Sequence, residues 1–270
     1  MLLQSHPKYA EWSAAYPEGV PGLSKGMFVA MAASLWPDDI RDKNNPETHP
    51  EWHYVDYAVK PPAFPMEPAP HPTNDILYGI QQCEVTVRSA AEASRLRAEM
   101  ASWMMHLVGD IHQPLHCAAL INADFPAPDG DRGGNGAFIK ADKEAQVINL
   151  HMFWDSQLGG ARVADAASAR EALHKAILLE AQHPRPTLPE LVTSPTPKDW
   201  SLEGRKIAIE EVYLRGALKY SLSKLNAPVL PEGYSKKAKT IAERRVALAA
   251  YRLADAFKRL LDTPSLPAGS

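Results

Sequence analysis

The sequence predicts a mainly α-helical fold, and three observations lead to this prediction. Apolar residues recur at three- and four-residue steps over long stretches, which is the spacing of one helix face. Alternating strand patterns are confined to one short region. The chain has 270 residues, 45% of them hydrophobic, and contains neither an internal repeat nor a low-complexity linker. We therefore expect a single domain over residues 1–270, mainly α, with long ordered loops and at most a small β-hairpin.

The expected helices follow one another along the middle and the carboxyl-terminal third of the chain. The longest periodic stretch runs from about residue 75 to 110 with almost no helix breakers. A shorter helix is expected over 163–181. Two long helices are expected near 202–225 and 236–261, where Ala, Leu, Lys, Arg and Glu dominate. The segments GAFIKA and AQVINL are the only plausible hairpin.

Two proline-rich stretches cannot be helical throughout, because each proline removes a backbone donor. They are KPPAFPMEPAPHP (60–72) and HPRPTLPELVTSPTPKD (183–199). We expect ordered loops that wrap over the helical body. A flexible linker is the alternative for the first stretch.

Composition excludes some classes of protein and leaves others open. The net charge of −3 gives the chain no basic footprint of the kind that most nucleic-acid binders carry. No apolar run is long enough to span a membrane, and the first residues do not look like a secretory signal. Cys83 and Cys117 could form one bridge or remain two free thiols.

The segment HLVGDIHQPLH concentrates polar side chains in apolar surroundings. His106 and Asp110 are four residues apart, so on a helix they project from one face, about 40° apart, and can bind one ion. His112 is turned roughly 200° from Asp110 and is the poorest ligand candidate. Pro114 ends the helical bonding, which frees His116 to turn back toward the first pair. A single histidine here would more often be a core residue, but the aspartate one turn away favours a ligand pair.

The same spacing recurs in NLHMFWD, where His151 and Asp155 are four residues apart. Burying an aspartate among Met, Phe and Trp is costly unless a cation compensates it. Upstream, LWPDDIR contains Asp38 and Arg41. Taken alone, this motif favours a helix start with an acidic cap. Beside two His/Asp pairs, it becomes a candidate carboxylate ligand with a cationic phosphate contact.

Two further segments supply candidate residues. WHYVDY offers His53, Tyr54 and Asp56, and DRGGN ends at Asn135 in a glycine turn expected at the rim of the site. A ligand set of nitrogen and oxygen atoms without thiolates suits zinc. More than four such ligands indicate more than one ion.

The motifs WPDDIR, WHYVD, HLVGDIHQPLH, GDRGGN and NLHxxWD occur in an order that resembles a known family. It is the family of zinc-dependent, single-strand-specific nucleases of the S1/P1 type, which is related in fold to zinc-dependent phospholipase C. The chain looks like a bacterial-type member. The matching motifs span residues 36–155, and the helical remainder is consistent with the family fold.

The resemblance implies a ligand set for each of two zinc ions. The first ion would be held by Asp38, His53, His106 and Asp110, with Asp110 bridging toward a second ion. Another zinc would be held by His116, His151 and Asp155. His112 falls at a position that is not a ligand in the family, in agreement with its place on the helix.

The resemblance also implies roles at the substrate. Arg41 matches an arginine that contacts the phosphate, and Asp110 and Arg41 are the expected catalytic residues. Tyr54 matches an aromatic residue on which a base stacks, and Asp56 a carboxylate that hydrogen-bonds that base. Asn135 matches the asparagine of the loop on the substrate side.

The amino terminus departs from the family pattern. Family members begin with a Trp whose amine and carbonyl bind a third zinc, followed by a His ligand in the first helix, and neither is present here. His6 resembles the sequence after that helix and is not assigned as a ligand. We expect that the sequence lacks the beginning of a secreted or periplasmic precursor and that the first family helix is absent for this reason. A two-zinc variant is the alternative.

The implied activity is that of a zinc-dependent endonuclease that hydrolyses single-stranded DNA and RNA to 5′-phosphate products, with 3′-nucleotidase activity as an additional expectation. We expect a monomer that binds single-stranded nucleic acid or nucleotides and has no stable membrane association. Two alternatives stay open at this point. One is a zinc-dependent phospholipase C, and the other is a zinc-stabilised binding protein with impaired catalysis.

Overall fold

The structure is a computed structural model that describes residues 2–42, 44–45, 47–61, 73–159 and 165–262. Its α-helices are α1 (Tyr9–Ala14), α2 (Lys25–Asp39), α3 (Ile76–Arg88), α4 (Ser94–Asp110), α5 (Leu150–Asp155), α6 (Ala166–Gln182), α7 (Glu190–Thr193), α8 (Pro197–Ile207) and α9 (Tyr234–Asp262). Its strands are β1 (Tyr57–Val59), β2 (Ala118–Leu120), β3 (Phe138–Lys140) and β4 (Val147–Asn149). The prediction of a mainly α fold is confirmed.

The stretch predicted as one long helical pattern forms two helices, α3 and α4. Asp75 caps the start of α3 by accepting hydrogen bonds from the backbone N–H groups of Leu77 and Tyr78. The chain leaves the helix at Ser89, although neither proline nor glycine is present there. The Arg97 guanidinium then donates to the carbonyl of Val87 at 3.0 Å and holds the two helices together. Packing between the helices, rather than a breaker residue, therefore decides this boundary.

The helix predicted over 202–225 is wrong in its second half. Helix α8 continues only into a π-helical turn at Ala208–Val212. Leu214 and Arg215 then adopt positive φ angles of 49° and 57°, which ends the helix. Beyond them the chain runs beside β3, where Phe138 donates its N–H to the carbonyl of Ser221 at 2.9 Å. Pairing with the hairpin thus replaces the expected helix, whereas the last predicted helix is confirmed as α9.

Two small sheets are present where at most one hairpin was expected. Strands β3 and β4 form the predicted antiparallel hairpin. Strands β1 and β2 form a parallel pair in which Tyr57 lies opposite Ala118. Three-residue strands are too short to leave a periodic pattern, so this pair could not be recognised. It matters for function because β1 follows His53 and β2 follows His116.

The second proline-rich stretch is ordered, as expected. It contains a 3-10 turn at Arg185–Thr187, helix α7 and the start of α8, where the Thr196 hydroxyl caps the helix by accepting from the N–H of Asp199. Of the first stretch, residues 62–72 lie outside the described residues. Cys83 and Cys117 are both buried free thiols, which resolves the alternative left open by the sequence. Among the described helices, none is both long and apolar enough to cross a membrane.

Two large apolar clusters meet at the segment that carries the histidine motif. One cluster lies around α3 and α4 and includes Trp103 and Ile111. The other lies around the hairpin and α5 and includes Leu115 and Trp154. The segment from residue 106 to 118 therefore runs along the boundary between them.

Candidate metal centre

The last turn of α4 and the turn after it carry three of the predicted ligands. His106 and Asp110 lie on one face of α4, with His106 Nε2 3.1 Å from Asp110 Oδ2. After the helix ends, a 3-10 turn at Pro114–His116 reverses the chain. His116 Nδ1 consequently lies 3.7 Å from the same Asp110 oxygen.

The structure brings all seven predicted metal ligands together, six of them in two groups of three and Asp110 between the groups. In each group one ligand atom per residue lies within 4.8 Å of the others; the groups are Asp38, His53 and His106, and His116, His151 and Asp155. Asp110 lies between the groups, with Oδ2 2.9 Å from His53 Nδ1. Its carboxylate can therefore be shared by two ions.

The position of Asp38 corrects one prediction made from the sequence. WPDDIR is not a helix start: Ser24 caps α2 by accepting from the N–H of Met27, and the helix runs on to Asp39. Asp38 thus lies in the last turn, where the helix dipole disfavours a carboxylate. Its Oδ1 is 3.6 Å from His106 Nε2, and Arg41 Nε is 2.9 Å away. These contacts, rather than helix capping, account for the aspartate.

The four predicted substrate residues line one cavity, which histidines of both groups also line. The cavity has a volume of about 480 Å³ and is also lined by His53, His116 and His151. Tyr54 is 39% exposed, so a ring face is accessible to a ligand. The residues that line the cavity are Arg41, Tyr54, Asp56 and Asn135, together with Pro50, Leu115, Asp129 and Arg132.

A comparison with protein families matches residues 13–262 to the S1/P1 nuclease family. The chain belongs to this family. It is 26% identical to Nuclease P1 of Penicillium citrinum and to Nuclease PA3 of a Penicillium species, over 175 residues that cover 62% of the chain and 58% of each relative. It is 23% identical to Nuclease S1 of Aspergillus oryzae over 277 aligned positions, which cover 95% of the chain and 87% of that relative. The alignments with the two Penicillium nucleases thus span less than two thirds of their length.

In this S1/P1 family member, backbone carbonyls orient three of the four candidate histidine ligands. Each of the three donates its Nδ1–H and turns its Nε2 toward a metal group. The bonds are His106 to Ser34 O at 2.9 Å, His116 to His53 O at 2.7 Å and His151 to Gly133 O at 2.7 Å. His53 has the opposite orientation, with Nδ1 3.0 Å from His106 Nε2. Two imidazole nitrogens facing each other beside carboxylates form a donor set that fits zinc.

The ionisable groups of the centre shift one another strongly. Burial alone would raise the pKa of Asp110, but His106 and His116 outweigh burial and hold that pKa well below its usual range. Burial would lower the pKa of His116, yet Asp110 and Asp155 raise it to about 9. Asp110 therefore stays ionised, and a protonated histidine or a cation nearby must compensate its charge. Burial also raises the pKa of Asp56 to about 7, so its carboxyl can donate or accept near neutral pH.

His112 points away from both metal groups, as its helical position predicted. Its side chain is 2% exposed, donates from Nδ1 to the carbonyl of Val108 at 2.7 Å and accepts from Arg252 at 2.8 Å. Burial, followed by the charges of Arg245 and Arg252, holds its pKa well below 6.5. His112 is thus a neutral structural residue.

Sequence reasoning missed several residues that support the centre. Gln113 donates to Asp155 Oδ1 at 2.8 Å and fixes that carboxylate; its place inside HLVGDIHQPLH was the available signal. Arg245 donates to the carbonyls of Ile111 and His112, at the end of α4. Nothing in the local sequence marks Arg245, because it lies more than 130 positions away.

His6 belongs to neither of the two groups found among the described residues. It stacks on Trp12 with ring centroids 4.5 Å apart, and its Nδ1 accepts from the N–H of Lys8. Burial, together with Arg95 and Lys8, lowers its pKa to about 4.

Proposed function

We propose that this protein is a zinc-dependent nuclease that hydrolyses phosphodiester bonds of single-stranded DNA and RNA and leaves 5′-phosphate products. The same site would act as a 3′-nucleotidase. One observation carries the proposal: seven His and Asp side chains converge, six in two groups and Asp110 between them, and three of their histidines line a cavity that is also lined by Arg41 and Tyr54. Membership of the S1/P1 nuclease family supports it.

The residues of the centre would bind two zinc ions and orient the phosphate of the substrate. Asp38, His53 and His106 would hold one zinc and His116, His151 and Asp155 the other, with Asp110 shared between them. When bound, zinc supplies Lewis acidity and lowers the pKa of water in its reach. The first group lies beside Arg41, whose guanidinium can contact a phosphate oxygen while Asp38 holds it at 2.9 Å.

Preference for single strands would follow from the base platform. A base must leave its stack to lie on the exposed ring of Tyr54, and such stacking contributes about 1–3 kcal/mol per base. Asp56, in the same cavity, can hydrogen-bond an edge of that base. We further propose a single domain over residues 1–270 that is secreted or periplasmic and monomeric.

The proposal is tested by comparing turnover of denatured DNA, RNA, duplex DNA and phosphatidylcholine vesicles. Denatured DNA and RNA should be cleaved much faster than the duplex, and zinc content should approach two ions per chain. Asp110→Asn should abolish cleavage and lower zinc content, whereas the matched control Asp255→Asn, on the surface of α9, should change neither. Turnover of the lipid alone would overturn the proposal in favour of a phospholipase C. A zinc-loaded protein that binds the single strand without cleaving it would instead identify a binding protein.

A further inference from the structure

Arg132 lies in the wall of the cavity, and its backbone conformation is unusual. It is exposed and has a φ of 54°, in the left-handed region that residues other than glycine rarely adopt. Its side chain lines the same cavity as Arg41 and Tyr54. Strained backbone positions occur often at functional sites, and because this one lies in the wall of the candidate site, we consider the side chain of Arg132 as a candidate for a role in binding.

The loop around Arg132 is held firmly against the second metal group. A side chain on Gly133 would collide with the carbonyl of Leu115, so the loop lies directly on the turn that carries His116. The carbonyl of Gly133 accepts from His151 Nδ1 at 2.7 Å. Asp131 is buried and accepts from the N–H of Leu120 at 2.8 Å. These contacts fix where the Arg132 side chain begins.

The guanidinium of Arg132 is available for an anion. Arg132 makes no ion pair with any residue that the structure describes, whereas Arg41 is engaged by Asp38 at 2.9 Å. Asp129 lines the same cavity, but its contact with Arg132 is through the backbone, where the N–H of Arg132 donates to the Asp129 carbonyl. An unpaired guanidinium in a cavity suits a phosphate group.

We propose that Arg132 binds a phosphate of the nucleic-acid strand adjacent to the phosphate that is cleaved. The inference rests on the proposed function. Arg41 and Tyr54 flank the group formed by Asp38, His53 and His106, whereas the loop of Arg132 contacts the other group through His151. A strand that crosses both groups therefore extends toward Arg132 beyond the scissile phosphate.

Two variants and one matched control test the role of Arg132. Arg132→Gly removes the side chain where glycine is the favoured residue, so the melting temperature should not fall. Arg132→Lys keeps the charge. Arg215→Gly is the control: Arg215 is also an exposed arginine with a positive φ, of 57°, and it pairs with Glu210 outside the cavity.

The kinetic measurement compares a trinucleotide, which has two internucleotide phosphates, with a dinucleoside monophosphate, which has only the scissile one. Arg132→Gly should raise KM for the trinucleotide about three- to tenfold with little change in kcat. For the dinucleoside monophosphate, KM should rise by less than about twofold. Arg132→Lys should reverse part of the rise in KM for the trinucleotide, and Arg215→Gly should leave KM for both substrates unchanged.

A second readout uses the zinc-loaded protein and a phosphorothioate single strand, which keeps its charges and resists hydrolysis. The slope of log Kd against log salt concentration should decrease by about 0.7 in Arg132→Gly, the value for one lost phosphate contact. An equal loss on both substrates, or an unchanged slope and unchanged KM, would overturn the inference. If the strand binds in an Arg132-dependent manner but is never cleaved, the inference stands and the proposed function fails. If cleavage is normal and Arg132→Gly behaves as wild type, only the inference fails.

Discussion

Replacement of Glu203 should lower the free energy of unfolding strongly without altering a candidate metal ligand. Its carboxylate, on α8, accepts hydrogen bonds from Arg252 at 2.8 and 2.9 Å and from Arg245, both on α9. Each arginine is only 4% exposed. Both also bind elements around the metal centre: Arg245 holds the carbonyls at the end of α4, and Arg252 holds His112.

The expected cost of Glu203→Ala follows from this geometry. The substitution removes the carboxylate that neutralises two buried guanidinium groups, and breaking a buried ion pair in this way costs about 3–5 kcal/mol. A typical domain has about 5–15 kcal/mol of stability in total, so the loss is a large share of it. Burial already lowers the pKa of Arg245, and without Glu203 its charge has less compensation.

The assay is urea unfolding of Glu203→Ala beside a surface control, Asp255→Ala. Asp255 pairs with Arg185, whose side chain is 47% exposed, and this control should cost less than about 1 kcal/mol. The two variants should have the same m-value as wild type, so that the midpoints report stability. A loss of less than 1 kcal/mol for Glu203→Ala would refute the reasoning, because it would mean that the buried arginines need no counter-charge.

Further predictions concern the centre, the amino-terminal segment and the base platform. His112→Ala should keep the zinc content of the wild type and lower stability, whereas His116→Ala should lose zinc; metal analysis that gives the reverse would contradict the ligand assignment. His6 has a folded-state pKa of about 4, below its unfolded value of 6.5, so the unfolded chain binds more protons between these values. The contribution of His6 to stability should therefore fall by up to about 3 kcal/mol from pH 6.5 to 4, and His6→Phe should remove this contribution from a pH series of unfolding curves measured without zinc. Tyr54→Ala should raise KM for single-stranded DNA about tenfold in steady-state assays, and an unchanged KM would exclude base stacking on this ring.

Much of the candidate centre could be predicted because its signals are local. The i,i+4 spacing of His106 and Asp110, and of His151 and Asp155, places each pair on one helix face whatever the rest of the fold does. The turn after Pro114 likewise follows from the proline itself. The local pattern was misleading only for Asp38, because an aspartate after a tryptophan and a proline is compatible with either end of a helix.

The features that could not be predicted depend on partners distant in sequence. The pairing of Tyr57 with Ala118 joins positions that no periodic pattern connects. The break at Ser89 reflects packing of α3 against α4, which outweighs good helix propensity. Arg245 and Arg252 look like the solvated face of a charged helix, but both are buried against partners distant in sequence, which include Glu203 on α8 and His112.

The location of the centre explains why these distant contacts matter for function. Its ligands come from α2, the turn at Pro50–His53, α4, the turn at Pro114–His116 and α5, and no local interaction brings these elements together. The charge on the histidines offsets the like charges of Asp110 and Asp155 only in part, so apolar packing must help to hold the ligands in place before cations bind. The two apolar clusters on either side of the segment 106–118 provide this packing. Behind this segment, the buried Arg245 donates to the carbonyls of Ile111 and His112, just after the end of α4. The position of the shared Asp110 carboxylate therefore depends on α4 and on the contact between α8 and α9 that holds Arg245 in place.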